Sequence, residues 1–103
     1  MNRFDLLNKI QNILKDNLVI CNIGLPSQEL YKINDQPSFF YMLGSMGLSS
    51  SIGLGLSLSQ NKNVVSIDGD GSVLMNMNTL ATIGNRAPSN YTCLLYTSDA
   101  ADE

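Results

Sequence analysis

Apolar positions recur at helical spacing along the first stretch of the chain: Phe4, Leu6, Leu7, Ile10, Ile13 and Leu14, with Asp5, Lys9, Gln11 and Lys15 on the other side. One face buries while the other stays wet, which predicts an amphipathic helix ending near Asp16 and Asn17. Beyond it the period is lost. Residues 18–23 (Leu-Val-Ile-Cys-Asn-Ile) form a run of strand length, closed by Gly24. Pro26 suits the first turn of a second helix over 27–33, where a missing N–H has no partner to lose. Residues 34–38 read as a loop, and 39–43 (Phe-Phe-Tyr-Met-Leu) as a second strand. A third helix is predicted to open at Gly44-Ser-Met-Gly47 and to run to Ser59. Small residues at 47, 51 and 55 share one of its faces and would let another backbone approach closely. A turn at 61–63 leads to a third strand, 64–67 (Val-Val-Ser-Ile), stopped by Asp68-Gly-Asp-Gly-Ser72. A fourth helix then carries Met75, Met77, Leu80, Ala81 and Ile83, with Pro88 beyond its end, and 91–96 suit another strand.

Strands and helices alternate at short intervals, and the runs at 18–23 and 64–67 are apolar on both faces. That combination predicts an α/β fold with a parallel sheet covered by helices on both faces. In such sheets ligands sit beyond the carboxyl ends of the strands. Three glycine-containing loops occupy those ends: Asn22-Ile-Gly24, Gly44-Ser-Met-Gly47 and Asp68-Gly-Asp-Gly-Ser72. All three are expected to meet at one rim.

Composition narrows the chemistry. With 103 residues the chain makes one small domain, and with no His it has no imidazole base, ligand or Ser-His pair. The net charge of −3 belongs to the end of the chain: Asp99, Asp102 and Glu103 have no cationic counterpart there, while residues 1–92 carry six charges of each sign. No basic patch suits a nucleic acid backbone. Cys21 and Cys93 have no metal-ligand spacing, and Cys21 reads as a small buried hydrophobe. No secretory signal opens the chain, so a cytoplasmic setting is expected. The uncharged stretch 36–61 is long enough to span a membrane, yet its serines and glycines suit close packing inside a protein, and no membrane helix is expected. The five methionines read as core filler.

The glycines of Gly69-Asp70-Gly71-Ser72 free the backbone for close approach to a ligand, and the N–H groups that follow can meet phosphate oxygens. Asp70 is a hard oxygen ligand suited to Mg²⁺; the plainer alternative is a tight turn with a solvated acid. A calcium loop is excluded by Val73 and Thr79 at the positions that need Gly and Glu. A dinucleotide fingerprint fails because Gly53-Leu-Gly55 falls inside a helix and Leu58 stands at the third glycine's place.

Taken together, Asn22-Ile-Gly-Leu-Pro-Ser-Gln-Glu-Leu-Tyr31, the run from Phe40 through Gly44-Ser-Met-Gly47 to Leu56, and Ile67-Asp-Gly-Asp-Gly-Ser-Val-Leu-Met-Asn76 resemble the diphosphate-binding domain of thiamin diphosphate enzymes. More narrowly, they are similar to the β-subunit family of sulfopyruvate decarboxylases, with phosphonopyruvate decarboxylases close behind. The resemblance covers nearly all of residues 1–92 and implies thiamin diphosphate and Mg²⁺ as cofactors. It implies that Asp70 ligates the metal, beside Gly69, with Gly71 and Ser72 touching the diphosphate. Gly44 would offer its carbonyl to the aminopyrimidine, and Met46, beyond Ser45 in the same loop, would wedge the cofactor into its bent form. Without the resemblance, Met46 reads equally as a core methionine. Asn22 and Gly24 would line the diphosphate end. The implied reaction is non-oxidative decarboxylation of a small 2-oxo acid: 3-sulfopyruvate would give sulfoacetaldehyde and CO2. The Glu that activates the pyrimidine is expected from a partner α subunit with the pyrimidine-binding domain, because Glu29 lies in the wrong segment, so no catalytic residue is expected in this chain.

The family's next metal ligand, an Asn at the end of the following strand, has no counterpart in Tyr96-Thr-Ser-Asp-Ala100. Residues 93–103 resemble a translated sequencing adapter. The expected organisation is therefore a partial cofactor-binding domain over 1–92 and a non-native tail over 93–103. A phosphonopyruvate decarboxylase, and a non-catalytic nucleotide- or metal-binding α/β module, stand as the other readings.

Overall fold

The computed structural model describes residues 2–96. The elements run α1 (Arg3–Leu14), β1 (Leu18–Cys21), α2 (Leu25–Ile33), β2 (Phe39–Tyr41), α3 (Ser49–Ser59), β3 (Val64–Gly69), α4 (Asp70–Met75), α5 (Asn78–Arg86) and β4 (Tyr91–Tyr96). The four strands form one sheet in the order β2-β1-β3-β4, and every neighbouring pair is parallel. β1 lies at the centre with Leu18 opposite Val64 and Val19 opposite Phe39. The expected α/β architecture is the observed one.

Alternation along the strands divides the side chains between two layers. Val19, Cys21, Phe39, Val65 and Ile67 point to one face and pack with Leu7 and Leu14 of α1 and Leu30 of α2. The other face is covered by α3, where Tyr91 Oη donates to the Ser50 carbonyl at 2.6 Å and hydrogen-bonds Ser66 Oγ at 2.9 Å. Asn2 caps α1 by accepting the Asp5 N–H at 2.9 Å, and Pro26 stands in the first turn of α2.

Several boundaries differ from those read in the sequence. α3 starts at Ser49 instead of Gly44, because Ser45 (φ 57°) and Gly47 (φ 96°) are left-handed and cannot propagate a right-handed helix. The single helix expected after Ser72 is two, broken at Asn76, whose φ of −148° and ψ of 52° leave the helical region. β3 continues through Asp68 and Gly69, carried on by the ladder to β4, in which Gly69 pairs with Tyr96. Of the expected small-residue stripe, Gly47 and Ser51 do face α4 and α5, but a Cβ at Gly55 would meet open space. The close approach falls to Gly53, against Tyr91. Met42 is buried, yet Met46, Met75 and Met77 are exposed, which corrects their reading as core filler. The uncharged stretch 36–61 is divided between a turn, β2, a loop and α3; among the described residues no helix is long and apolar enough to cross a membrane. Within the expected tail, 93–96 complete β4, and 97–103 lie outside the described residues.

Candidate functional site

Parallel pairing brings the ends of β1 and β3 to one edge of the sheet. The Asn22 N–H, just past β1, donates to the Ile67 carbonyl of β3 at 2.9 Å. The third loop leaves β2 beside them, with the Met42 N–H donating to the Cys21 carbonyl at 3.0 Å. A cavity of about 270 Å³ opens over this edge, lined by Asn22, Met46, Gly69, Asp70, Gly71 and Ser72 among others. Six of the nine sequence-predicted residues thus surround one space. Gly24, Gly44 and Ser45 stand outside its lining, although Ile23 and Leu25 on either side of Gly24 belong to it. A larger groove, about 350 Å³, lies elsewhere between α1 and β4, but no charged side chain lines it.

Asp70 opens α4 and is partly exposed at the cavity, its Oδ1 accepting the Gly71 N–H at 2.7 Å. A Cβ at Gly71, Gly44 or Gly24 would project into open space, so the backbone at all three loops is bare toward solvent. Ser72 behaves differently from the reading of its sequence. Its side chain is buried and its Oγ donates to Asn22 Oδ1 at 3.0 Å. Asn22 and Ser72 therefore hold one another, and what Ser72 offers a ligand is its backbone. α4 has only six residues, so its N–H groups act individually here and not as the end of a long helix dipole.

Asp68, directly before the loop, is almost fully enclosed. Its Oδ1 accepts the Gly69 N–H at 3.1 Å, whereas Oδ2 has no hydrogen-bond partner, and neither does the buried Ser49 Oγ. Burial pushes the carboxyl above its ordinary pKa, and the Ser49 and Ser72 hydroxyls and the Gly69 N–H pull the other way. A buried carboxyl with one oxygen unmatched is costly to keep charged, and a cation bound at the adjacent loop would offset that cost.

Sequence reasoning missed Arg3. It is buried at the cavity wall, ion-paired through Nε with Glu29 Oε1, and its guanidinium lies 5.2 Å from the centre of the Tyr96 ring. Glu29 is the largest cause holding the Arg3 pKa above its usual value. A signal existed: Arg3 stands four residues before Leu7, on the face of α1 that buries. Among the described residues no three acidic or cysteine side chains gather at one point.

The family described as thiamine pyrophosphate enzyme, C-terminal TPP binding domain, matches residues 20–97. The chain is 56% identical over 95 residues to the sulfopyruvate decarboxylase subunit beta of Methanococcus maripaludis, covering 92% of this chain and 51% of that protein. It is 50% identical over 99 residues to the protein of the same name from Methanocaldococcus jannaschii, covering 95% of this chain and 53% of the relative. Against the phosphonopyruvate decarboxylase of Streptomyces viridochromogenes, identity is 42% over 88 residues, 85% of this chain and 22% of that one. The chain spans about half the length of the first of these relatives. A parallel sheet whose edge gathers the Asp70 loop, Asn22 and Met46, and a match that runs through all three segments, lead to one conclusion: the chain belongs to the family of thiamine pyrophosphate enzyme C-terminal TPP-binding domains.

Proposed function

We propose that this chain is the cofactor-holding part of the β subunit of a thiamin diphosphate- and Mg²⁺-dependent decarboxylase whose substrate is 3-sulfopyruvate. The observation that carries the reading is the single cavity in which Asp70, the bare Gly71 backbone and Met46 meet. The residues present fit the cofactor. Asp70 is a hard oxygen donor at the cavity, two residues along the chain from Asp68 with its orphaned Oδ2, and the glycines leave room where a side chain would intrude. Asp70 would hold Mg²⁺ jointly with diphosphate oxygens, and the Gly71 and Ser72 N–H groups would face the phosphates, with Asn22 fixing Ser72. Met46 is an exposed apolar side chain at the cavity and would meet the organic part of the cofactor, and the Gly44 carbonyl lies in the same loop. When bound, thiamin diphosphate supplies the electron sink on which a 2-oxo acid loses CO2, and a proton then completes the aldehyde.

Glu29 is engaged by Arg3, so the carboxyl that acts on the pyrimidine is assigned to a partner α subunit carrying the pyrimidine-binding domain. The "subunit beta" in the relatives' names supports a partner. Both cysteines are free, in keeping with a reducing cytoplasm. Sulfopyruvate is preferred over phosphonopyruvate on the 56% against 42% identity, and assaying both acids with the reconstituted pair of subunits decides between them. The cofactor reading is tested by calorimetric titration of the full-length chain with thiamin diphosphate and Mg²⁺. Asp70→Ala is expected to abolish metal-dependent binding. Unchanged binding would favour a non-catalytic nucleotide- or metal-binding module instead.

A further inference from the structure

We propose that Asn76 is a positioning residue that locks the Met46 loop to the Asp70 loop, so that the two ends of the cofactor site hold a fixed separation. This rests on the cofactor reading above. The turn at 45–48 is closed internally, the Leu48 N–H donating to the Ser45 carbonyl at 3.1 Å, with Ser45 and Gly47 both left-handed. Such a turn keeps its own shape, but its orientation over the sheet needs an outside tie. Asn76 provides one: its Nδ2 donates to the Gly47 carbonyl at 3.1 Å and to Ser51 Oγ at 3.3 Å. Ser51 Oγ in turn shares a 2.8 Å hydrogen bond with Thr79 Oγ1 at the start of α5.

The same junction is closed by packing. A Cβ at Gly47 would come within 2.9 Å of the Ser72 carbonyl oxygen and 3.3 Å of the Asn76 and Met75 Cβ atoms. The Met46 loop therefore rests on the backbone of Ser72, the residue assigned to the phosphates. Asn76 can reach across only because the chain leaves the helix there: its own N–H returns to the Val73 carbonyl at 3.0 Å while its side chain turns to Gly47. The break between α4 and α5, which the sequence pattern conceals, is what builds the tie. Without it Gly47 has a buried carbonyl lacking this donor, and the loop is free to reorient at the organic end of the site, whereas Asp70 and Gly71 keep their own local bonds.

The test compares two ligands on the full-length chain, assembled with its partner subunit: thiamin diphosphate and inorganic diphosphate, each with Mg²⁺, by calorimetric titration. Asn76→Ala is expected to weaken thiamin diphosphate about tenfold, the weight of the two part-buried neutral hydrogen bonds it removes, and to leave inorganic diphosphate within about twofold. Asn76→Leu keeps much of the volume, adds no charge and cannot donate to the carbonyl; it should show the same contrast, which serves if the Ala variant does not fold. Equal losses for both ligands, or no loss of thiamin diphosphate, would overturn the proposal. If the unaltered protein binds neither ligand, it is the cofactor reading that falls.

Discussion

Cys21 shows how far a single position's chemistry depends on its enclosure. In the sequence it is a small hydrophobe in a strand, and in the fold it is fully buried in the α1–α2 layer. Burial pushes its thiol from 9.0 to about 12, with Ser27 pulling the other way. Because the folded pKa is raised, the stability it contributes is present below pH ~9 and is lost as pH rises toward about 12. A thiol reagent at pH 8 should therefore label the exposed Cys93 alone in the native chain, and both cysteines in urea. Rapid native labelling of two thiols would contradict the burial. Arg3 is the contrasting residue: its place four positions from Leu7 made its burial legible, but Glu29, its partner 26 residues away, is brought to it only by the packing of α1 on α2.

At the scale of elements, the contact between α3 and β4 turns on Gly53. A Cβ there would stand 2.7 Å from Tyr91 Oη and 2.9 Å from its ring, and Tyr91 is not free to retreat because Ser50 and Ser66 both hold its hydroxyl. Gly53→Ala gains up to ~1 kcal/mol of helix propensity, yet overpacking of about 1–3 kcal/mol should outweigh it and lower the urea midpoint. Adding Tyr91→Phe should recover part of the loss, so the double variant costs less than the two singles combined. The alternation of strand and helix was readable from periodicity, as was the placing of the glycine loops at the strand ends. The start of α3 was not, because Gly44-Ser-Met-Gly47 is continuous with a helical pattern and only the backbone angles at Ser45 and Gly47 separate it. The same holds for the break at Asn76.

Several large apolar side chains stay exposed in the molecule, Leu43, Leu74, Met75 and Met77 among them, and Met46 does so at the cavity itself. With Glu29 ion-paired to Arg3, the chain presents no free Glu among the described residues. On the proposed reading, this chain with Mg²⁺ and thiamin diphosphate decarboxylates nothing by itself, and adding the α subunit restores CO2 release. Turnover by the chain alone would remove the need for a split site.

The sequence by itself determined the class of fold and the ends of the strands where a ligand belongs, because burial periodicity and glycine placement are local properties of the chain. It also marked Asp70 by the chemistry of its side chain, and Asn22 and Met46 through the motifs that resemble the thiamin diphosphate family. Only the tertiary structure decided which of them face a common cavity, that Ser72 spends its hydroxyl on Asn22, and that Asp68 lies buried with one oxygen unmatched. Asn76 reaching back 29 residues to Gly47 belongs with these. Each depends on groups far apart in the chain and adjacent in space, and their separation is fixed by packing, which no local pattern encodes.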